Sequence, residues 1–428
     1  MPTRRDFLIA SAATAAATPL LAQRVGGAAD SQAFMPNPIA ALKPRAKEAT
    51  PITAAERQLR ADKARRLMAE QKIGAIVITG GTSLTYFTNV RGGQSERIFA
   101  WVLPESGAPY IVCPTFEEGR MTEQLGEIPD GKSTKIYTWN EDDDPYALLV
   151  KHLPAGAVAL DERVQYVFAN RIQQADRHRS VVSAIPVIAG CRAIKSPAEL
   201  ALMQLANDIT LSVYKACYES AGPGTTNRQF SALVDQAYRR CGVTGNASCQ
   251  VGNYSALPHG SLQPQVIKEG QMVLIDDGCI VEGYQSDISR SFVYGKPTDY
   301  QKQVFDVVHK AQAAAIAAAK PGVPCHAIDD AARKVITEAG FGPDYKTFTH
   351  RLGHGIGMDG HEWPYLVRGN NQPLEVGMCF SDEPGIYLPG QPEDPKAFGV
   401  RLEDDWHLTE QGGVFFTQPS PSLEKPFG

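Results

Sequence analysis

At 428 residues the chain exceeds what a single hydrophobic core ordinarily organises, so two domains are expected. Hydrophobic residues make up 43% and charged residues 21%, the balance of a chain that folds around cores and does not stay disordered. A net charge of -5 and an isoelectric point near 6.0 argue against nucleic-acid binding, which ordinarily needs a basic surplus.

Arg4-Arg5-Asp6-Phe7-Leu8 precedes an Ala-rich apolar stretch from Ile9 to Ala22, too short to anchor the chain across a bilayer. A charged start followed by a short apolar segment reads as an export leader, and the paired arginines resemble the bacterial twin-arginine type. On this reading residues 1–22 are a leader removed after Leu20-Leu21-Ala22, the mature protein is periplasmic, and it has no membrane span. Residues 23–50, rich in Ala, Gly and Pro, read as an N-terminal arm, with order beginning at Thr53. The eight cysteines (Cys113, Cys191, Cys217, Cys241, Cys249, Cys279, Cys325 and Cys379) include no Cys-x-x-Cys pair. Buried free thiols are expected, with room for one bridge in an exported chain.

Thr53-Ala54-Ala55-Glu56 is a capping box opening a helix to about Gln71. Ile73 to Thr79, Ile98 to Leu103, Tyr110 to Cys113, Lys135 to Trp139 and Val158 to Leu160 are short apolar runs that predict buried strands. Helical stretches near Glu117 to Gln124, Tyr146 to Leu153 and Val164 to Ala175 alternate with them, giving an α/β domain over 51–190. The run Asp142-Asp143-Asp144 reads as a solvated loop.

A second unit, 196–428, opens at the capping box Ser196-Pro197-Ala198-Glu199 with Pro at the first helical position. Helices to about Cys217 and from Thr226 to Arg240 give way to strands at Val273 to Ile275, Tyr284 to Ser286 and Ser291 to Tyr294. Helices at Tyr300 to Lys320 and His326 to Ala339 precede further strands at Met378 to Ser381 and Val400 to Trp406. Helices and antiparallel strands in one unit predict an α+β domain.

The chemistry lies in this unit. Asp276 and Asp287 flank Cys279 to Gly283, and a hairpin turning around Val281 and Glu282 would set the two carboxylates opposite each other on one face. Carboxylates that close repel unless a cation lies between them. His350-Arg351-Leu352-Gly353-His354-Gly355-Ile356-Gly357 and the following His361-Glu362-Trp363-Pro364 are too rich in glycine for a helix or strand, which predicts a loop with close backbone approach. Glu383 and Glu403 each end an apolar run, where an unpaired charge would be costly. Two Asp, two Glu and one His form an oxygen-rich ligand set that suits manganese, cobalt, zinc or iron, and four carboxylates neutralise two divalent ions. Two such ions about 3.5–4 Å apart would make a water nucleophilic near neutral pH.

The order and spacing of these segments resemble the pita-bread metallopeptidases, in the Xaa-Pro branch that contains prolidase and aminopeptidase P. The matching stretches are Asn253-Tyr254-Ser255-Ala256-Leu257-Pro258-His259-Gly260, Asp276-x-Gly278 with Asp287, Gly353-His354-Gly355-Ile356-Gly357, Glu383-Pro384-Gly385 and Gly399-Val400-Arg401-Leu402-Glu403-Asp404. The resemblance implies a creatinase/prolidase-like α/β N-terminal domain followed by an α+β pita-bread catalytic domain. It implies two divalent ions per subunit, manganese ahead of cobalt, zinc or iron, held by Asp276, Asp287, His354, Glu383 and Glu403, with Asp287 and Glu403 bridging. Glu383 would double as general base or proton shuttle, His259 would help position the substrate and stabilise its developing charge, His361 would line the proline side, and Arg401 would orient an acidic ligand. The implied reaction is hydrolysis of the X-Pro bond at the N-terminus of a dipeptide or short peptide, by a homodimer or homotetramer. Trp363, Pro364 and Tyr365 are candidate contacts for the proline ring or, equally, local core. The acidic stretch Gln391 to Ala397, longer than the resemblance leads one to expect, would reshape the substrate end. A same-fold hydrolase or lyase acting on a non-peptide small molecule, and a metal-free binding protein, are the alternatives.

Overall fold

In the computed structural model, residues 35–92, 95–126 and 134–428 are described. The leader segment 1–22 and the arm up to residue 34 lie outside them. The remainder of the arm is ordered before Thr53, which corrects the expectation. A short helix, Asn37–Ala40, buries Ile39 completely, and the Arg45 N–H donates to the Cys241 carbonyl at 2.8 Å. Met35, Ile39, Leu42 and Ile52 pack into the core of the C-terminal unit, apolar anchors that the Ala, Gly and Pro content had masked.

The helix Ala54–Gln71 begins at the capping box: Thr53 Oγ1 accepts the Glu56 N–H and Glu56 accepts the Thr53 N–H. Six strands follow, β1 (Ile73–Ile78), β2 (Ala100–Pro104), β3 (Tyr110–Pro114), β4 (Lys135–Trp139), β5 (Ala157–Leu160) and β6 (Val181–Ser183). They form one sheet in the order β4-β3-β2-β1-β5-β6, with β2 antiparallel to both neighbours and the other pairings parallel. Both faces are covered, as a largely parallel sheet requires. Ile76 and Ile78 pack with Met68, Leu84 and Ile188, while Ala75 and Val77 face Leu149, Phe168 and Ile172. Two helices in this unit were not legible, Gly81–Thr88 and Ile185–Arg192, and the second extends past residue 190. Asp144, in the acidic run, caps the helix Pro145–His152 by accepting from the Tyr146 and Ala147 N–H groups.

The second unit is built on two helix pairs. Pro197–Ser220 starts at the expected capping box and Asn227–Cys241 at a further one, Thr226 with Gln229, and Asp299–Ala318 with Cys325–Glu338 make the second pair. The first pair packs on β8 (Ser248–Val251), β9 (Met272–Asp276) and β12 (Arg290–Val293), ordered β12-β9-β8, and on the small sheet of β7 (Thr244–Gly245), β10 (Cys279–Val281) and β11 (Tyr284–Gln285). The second pair covers β13 (Gly353–Gly355), β14 (Glu362–Leu366), β15 (Cys379–Asp382), β18 (Asp404–Thr409) and β19 (Gly412–Phe415), ordered β14-β13-β15-β18-β19. A hairpin of β16 (Gly385–Leu388) and β17 (Phe398–Arg401) lies beside them. Two hydrophobic cores result, and the acidic strand ends meet between them.

Two local expectations are corrected. The glycine-rich stretch forms a strand, β13, within the five-stranded sheet. A Cβ on Gly353 would fall 2.1 Å from the Ser381 carbonyl oxygen and one on Gly355 2.7 Å from that of Glu362, so the glycines do allow close approach, but inside a sheet. The single strand expected from Val400 to Trp406 is instead β17 and β18, broken at Leu402-Glu403. All eight cysteines are buried and free, so the one bridge left open does not form.

Candidate metal centre

Asp276 closes β9. The hairpin beyond it turns at Glu282-Gly283, both at positive φ (49° and 91°), one residue later than expected. Ile275 pairs with Arg290 and Val281 with Tyr284, a register that sets Ser289 opposite Asp276 and leaves Asp287 as its diagonal neighbour on the same face. The direct Asp276–Asp287 pairing is corrected accordingly. Ser289 occupies the intervening place, its Oγ 2.7 Å from Asp276 Oδ1 and 2.6 Å from Glu403 Oε2.

From the other half, β13 delivers His354, Glu383 follows β15, and Glu403 stands in the break before β18. His354 Nδ1 donates to the Gly355 carbonyl at 3.1 Å, leaving the Nε2 lone pair 3.4 Å from Glu383 Oε1 and 3.8 Å from Asp287 Oδ2. Among the described residues, three overlapping triads bring donor atoms within 4.8 Å of one another: Asp287, His354 and His361; His354, Glu383 and Glu403; and Asp276, Asp287 and Glu403. All five expected ligands are thus gathered, and Asp287, His354 and Glu403 each belong to two triads.

The electrostatics are those of a site that calls for added positive charge. Burial, then the charge of Asp276, lifts the Asp287 carboxyl well above the carboxylate range, and burial with Asp287 and Glu383 does the same to Glu403. Glu383 rises to about 8, chiefly through burial, with Arg401 opposing and Asp276 adding to the rise. Burial and the neighbouring His361 hold His354 well below the ordinary imidazole value, so it is the neutral ligand form. Two divalent ions fit this set of four carboxylates and one unprotonated nitrogen.

Arg401, 2% exposed, spans the acidic cluster. It ion-pairs with Asp276, donates from Nε to Ser289 Oγ at 2.8 Å, and from Nη1 to Tyr387 Oη at 3.0 Å and the Pro258 carbonyl at 3.1 Å. His350, named in the sequence without a role, lies 2.8 Å through Nε2 from Tyr387 Oη and 3.8 Å through Nδ1 from Glu383 Oε2. Asp405, fully buried, accepts the Asp287 N–H at 2.8 Å. Ser289, Tyr387 and Asp405 carried no signal of their own, although Ser289 shares a strand face with Asp287.

The cluster opens into a cavity of about 560 Å³ lined by His259, His350, Arg351, His361 and Arg401 together with all five candidate ligands. A second groove, about 420 Å³, continues past Asp277, Asp287 and His361 to Asn246 and Gln285. The His361 ring centroid is 3.8 Å from that of His354, closer to the acidic centre than a place along the proline side alone implied. Trp363, Pro364 and Tyr365 do not line the cavity. Trp363 and Pro364 face a separate crevice against Ile185 and Ala189, and Tyr365 lies under the Arg351 guanidinium at 4.1 Å. Their apolar composition pointed to the proline ring, but the strand β14 turns them elsewhere. The 391–397 stretch also misses the cavity: it caps the β16–β17 hairpin beyond the Leu388–Phe398 pair, whereas Gly385 and Arg401 pair at the site end.

Fold and site together define a two-domain, metal-dependent enzyme with a pita-bread catalytic domain. The chain belongs to metallopeptidase family M24, whose model matches residues 201–410, and a creatinase/prolidase N-terminal domain matches residues 60–194. It is 32% identical to the Xaa-Pro dipeptidase of Lactobacillus helveticus, over 85% of this chain and 98% of that one. Among solved structures it resembles dipeptidase PepE from Mycobacterium ulcerans (TM-score 0.80, 30% identity, 88% of this chain and 99% of that one). It also resembles the prolidase from Thermococcus sibiricus (TM-score 0.74, 27% identity, 84% and 96%). The M24 family binds two divalent metal ions.

Proposed function

We propose that this protein hydrolyses the bond between an N-terminal residue and a following proline in dipeptides or short peptides, using two divalent ions, manganese ahead of cobalt, zinc or iron. The observation that carries the reading is the convergence of four carboxylates and one neutral imidazole on the wall of a single cavity. Relatives named Xaa-Pro dipeptidase and prolidase, matched over most of their length, supply the substrate class.

Asp276, Asp287, His354, Glu383 and Glu403 would hold the ions, with Asp287 and Glu403 shared between them. The ions would polarise the scissile carbonyl and make water nucleophilic near neutral pH. Glu383 would take a proton from the attacking water and return it to the leaving imino nitrogen. His259 and His361, on the cavity wall, hold the substrate and the charge that develops on its carbonyl oxygen. Proline offers no N–H beyond the scissile bond, so ring shape and the peptide termini must carry recognition.

The same proposal includes a homodimer or homotetramer, as the family resemblance implies, and export to the periplasm on the strength of Arg4-Arg5 and the apolar segment after them. No helix among the described residues is long and apolar enough to cross a membrane. Manganese-loaded protein should release proline from Gly-Pro, and a series from dipeptide to pentapeptide should set the length limit. Equal cleavage of the corresponding X-Ala peptides would contradict the reading.

A further inference from the structure

We infer that Arg192, at the end of the N-terminal domain, is a positioning residue for the catalytic centre: acting through Asp359 and Glu362, it fixes the segment that presents His361. The inference rests on the role proposed for His361 above, and it makes the domain junction part of the active-site machinery.

The segment from Gly357 to Glu362 links β13 to β14, and only Gly360 and His361 separate its two acidic residues. Both acids are gripped from outside the segment. Arg192 Nη2 donates to Asp359 Oδ2 at 2.7 Å and to Glu362 Oε1 at 2.5 Å, bridging the two. Thr82 Oγ1 donates to Asp359 Oδ1 at 2.6 Å, and Arg163 Nη2 reaches the same oxygen at 3.1 Å. Lys195 Nζ, just past the domain end, lies 3.2 Å from Glu362 Oε2. The segment also closes on itself, the Asp359 N–H donating to Glu362 Oε1 at 2.9 Å.

This is a desolvated network. The side chains of Arg192 and Glu362 are 7% and 5% exposed. Burial alone would lift the Glu362 carboxyl, yet Lys195, Arg192 and the Asp359 N–H pull it down to about 2, so it stays charged and paired. The network packs closely on Gly357, where a Cβ would meet Lys195 Cε at 2.8 Å and Glu362 Oε2 at 2.9 Å. His361 borders both the interdomain crevice beside Arg192 and the main cavity, where its ring lies against His354 and its Nδ1 is 3.0 Å from Arg351 Nη2. The N-terminal domain is itself seated by Arg60, which donates to Tyr284 Oη at 2.8 Å and pairs with Glu199 at 3.2 Å. A displacement of about 1 Å in a substrate-holding group costs roughly 100-fold in rate, and this bridge is what prevents one.

The test uses the full-length, metal-loaded protein with Arg192→Gln, Arg192→Lys and Thr82→Val, the last removing one bond without touching a charge. The inference expects unchanged metal content, a fall in kcat of about 10–100-fold for Arg192→Gln, partial recovery for Arg192→Lys, and a smaller fall for Thr82→Val. If Arg192→Gln does not fold, Thr82→Val decides alone. Wild-type kcat in the folded variants, with only a lowered Tm, would overturn it. Should the wild type cleave no X-Pro peptide, the functional reading fails separately. The positioning role is then read from the ¹⁵N imidazole signals of His361, which must shift in Arg192→Gln; an unmoved signal overturns it.

Discussion

His354 Nε2 and Glu383 Oε1 face each other at 3.4 Å as two acceptors. The hydrogen bond from Nδ1 to the Gly355 carbonyl occupies the imidazole's one proton, and burial keeps a second from joining it. Two lone pairs at that separation, in a pocket already crowded with Asp276, Asp287 and Glu403, are held together by a cation or by protons taken up in its place.

Loss of a shared ligand should therefore cost more than one interaction. Asp287→Asn or Glu403→Gln, each drawn from two of the three triads, is expected to lower bound metal below two ions per subunit. Activity should fall by more than the roughly 10–100-fold typical of losing an outer partner. Elemental analysis with peptide hydrolysis checks both; full metal content with normal turnover would refute the ligand assignment.

Removing the metals should make stability depend on pH. In the metal-free protein Glu383 titrates near 8, above its unfolded value of about 4.3, and Asp287 and Glu403 are shifted in the same direction. A raised folded-state value stabilises below the unfolded pKa and is lost as pH climbs through the folded one. Chelated protein should thus lose Tm between about pH 5 and 8, and its gap from the loaded protein should widen over that range. Calorimetry checks this; a constant gap would count against it.

Arg401 holds Asp276, Ser289 and Tyr387 at once. Arg401→Gln is expected to weaken metal binding or activity by about 10–100-fold, with Arg401→Lys intermediate because an ammonium cannot reproduce the planar fork. Metal titration and kcat/KM measured on the same preparation are the check.

The thiols should be silent. With all eight cysteines buried and burial lifting Cys279 to about 11 and Cys379 to about 12, a thiol reagent at pH 8 should label the protein only after denaturant is added. Mass spectrometry before and after unfolding reads this out. A reducing agent should leave Tm unchanged.

The end of the N-terminal arm should contribute to stability. Ile39 is fully buried in the core beneath the first helix pair, so Ile39→Ala is expected to cost about 2–5 kcal/mol. Denaturant unfolding measures it.

What was legible in the sequence depended on how local each signal was. Capping boxes at Thr53 and Ser196 each place a donor and an acceptor within three residues, and each opened its helix as expected. The five acidic and imidazole groups were legible because their motifs recur in order. Register was not: a turn one residue later set Ser289, not Asp287, opposite Asp276. Gly353 and Gly355 read as breakers because sequence alone does not show the Ser381 and Glu362 carbonyls that fill the missing Cβ positions. Arg192 and Glu362, 170 residues apart, left no sign of their partnership.

Diffraction from manganese-loaded crystals at the metal's absorption edge tests the central claim most directly. Two anomalous peaks per subunit should appear among Asp276, Asp287, His354, Glu383 and Glu403, with Asp287 and Glu403 touching both. Peaks elsewhere, or none within reach of those five side chains, would contradict it.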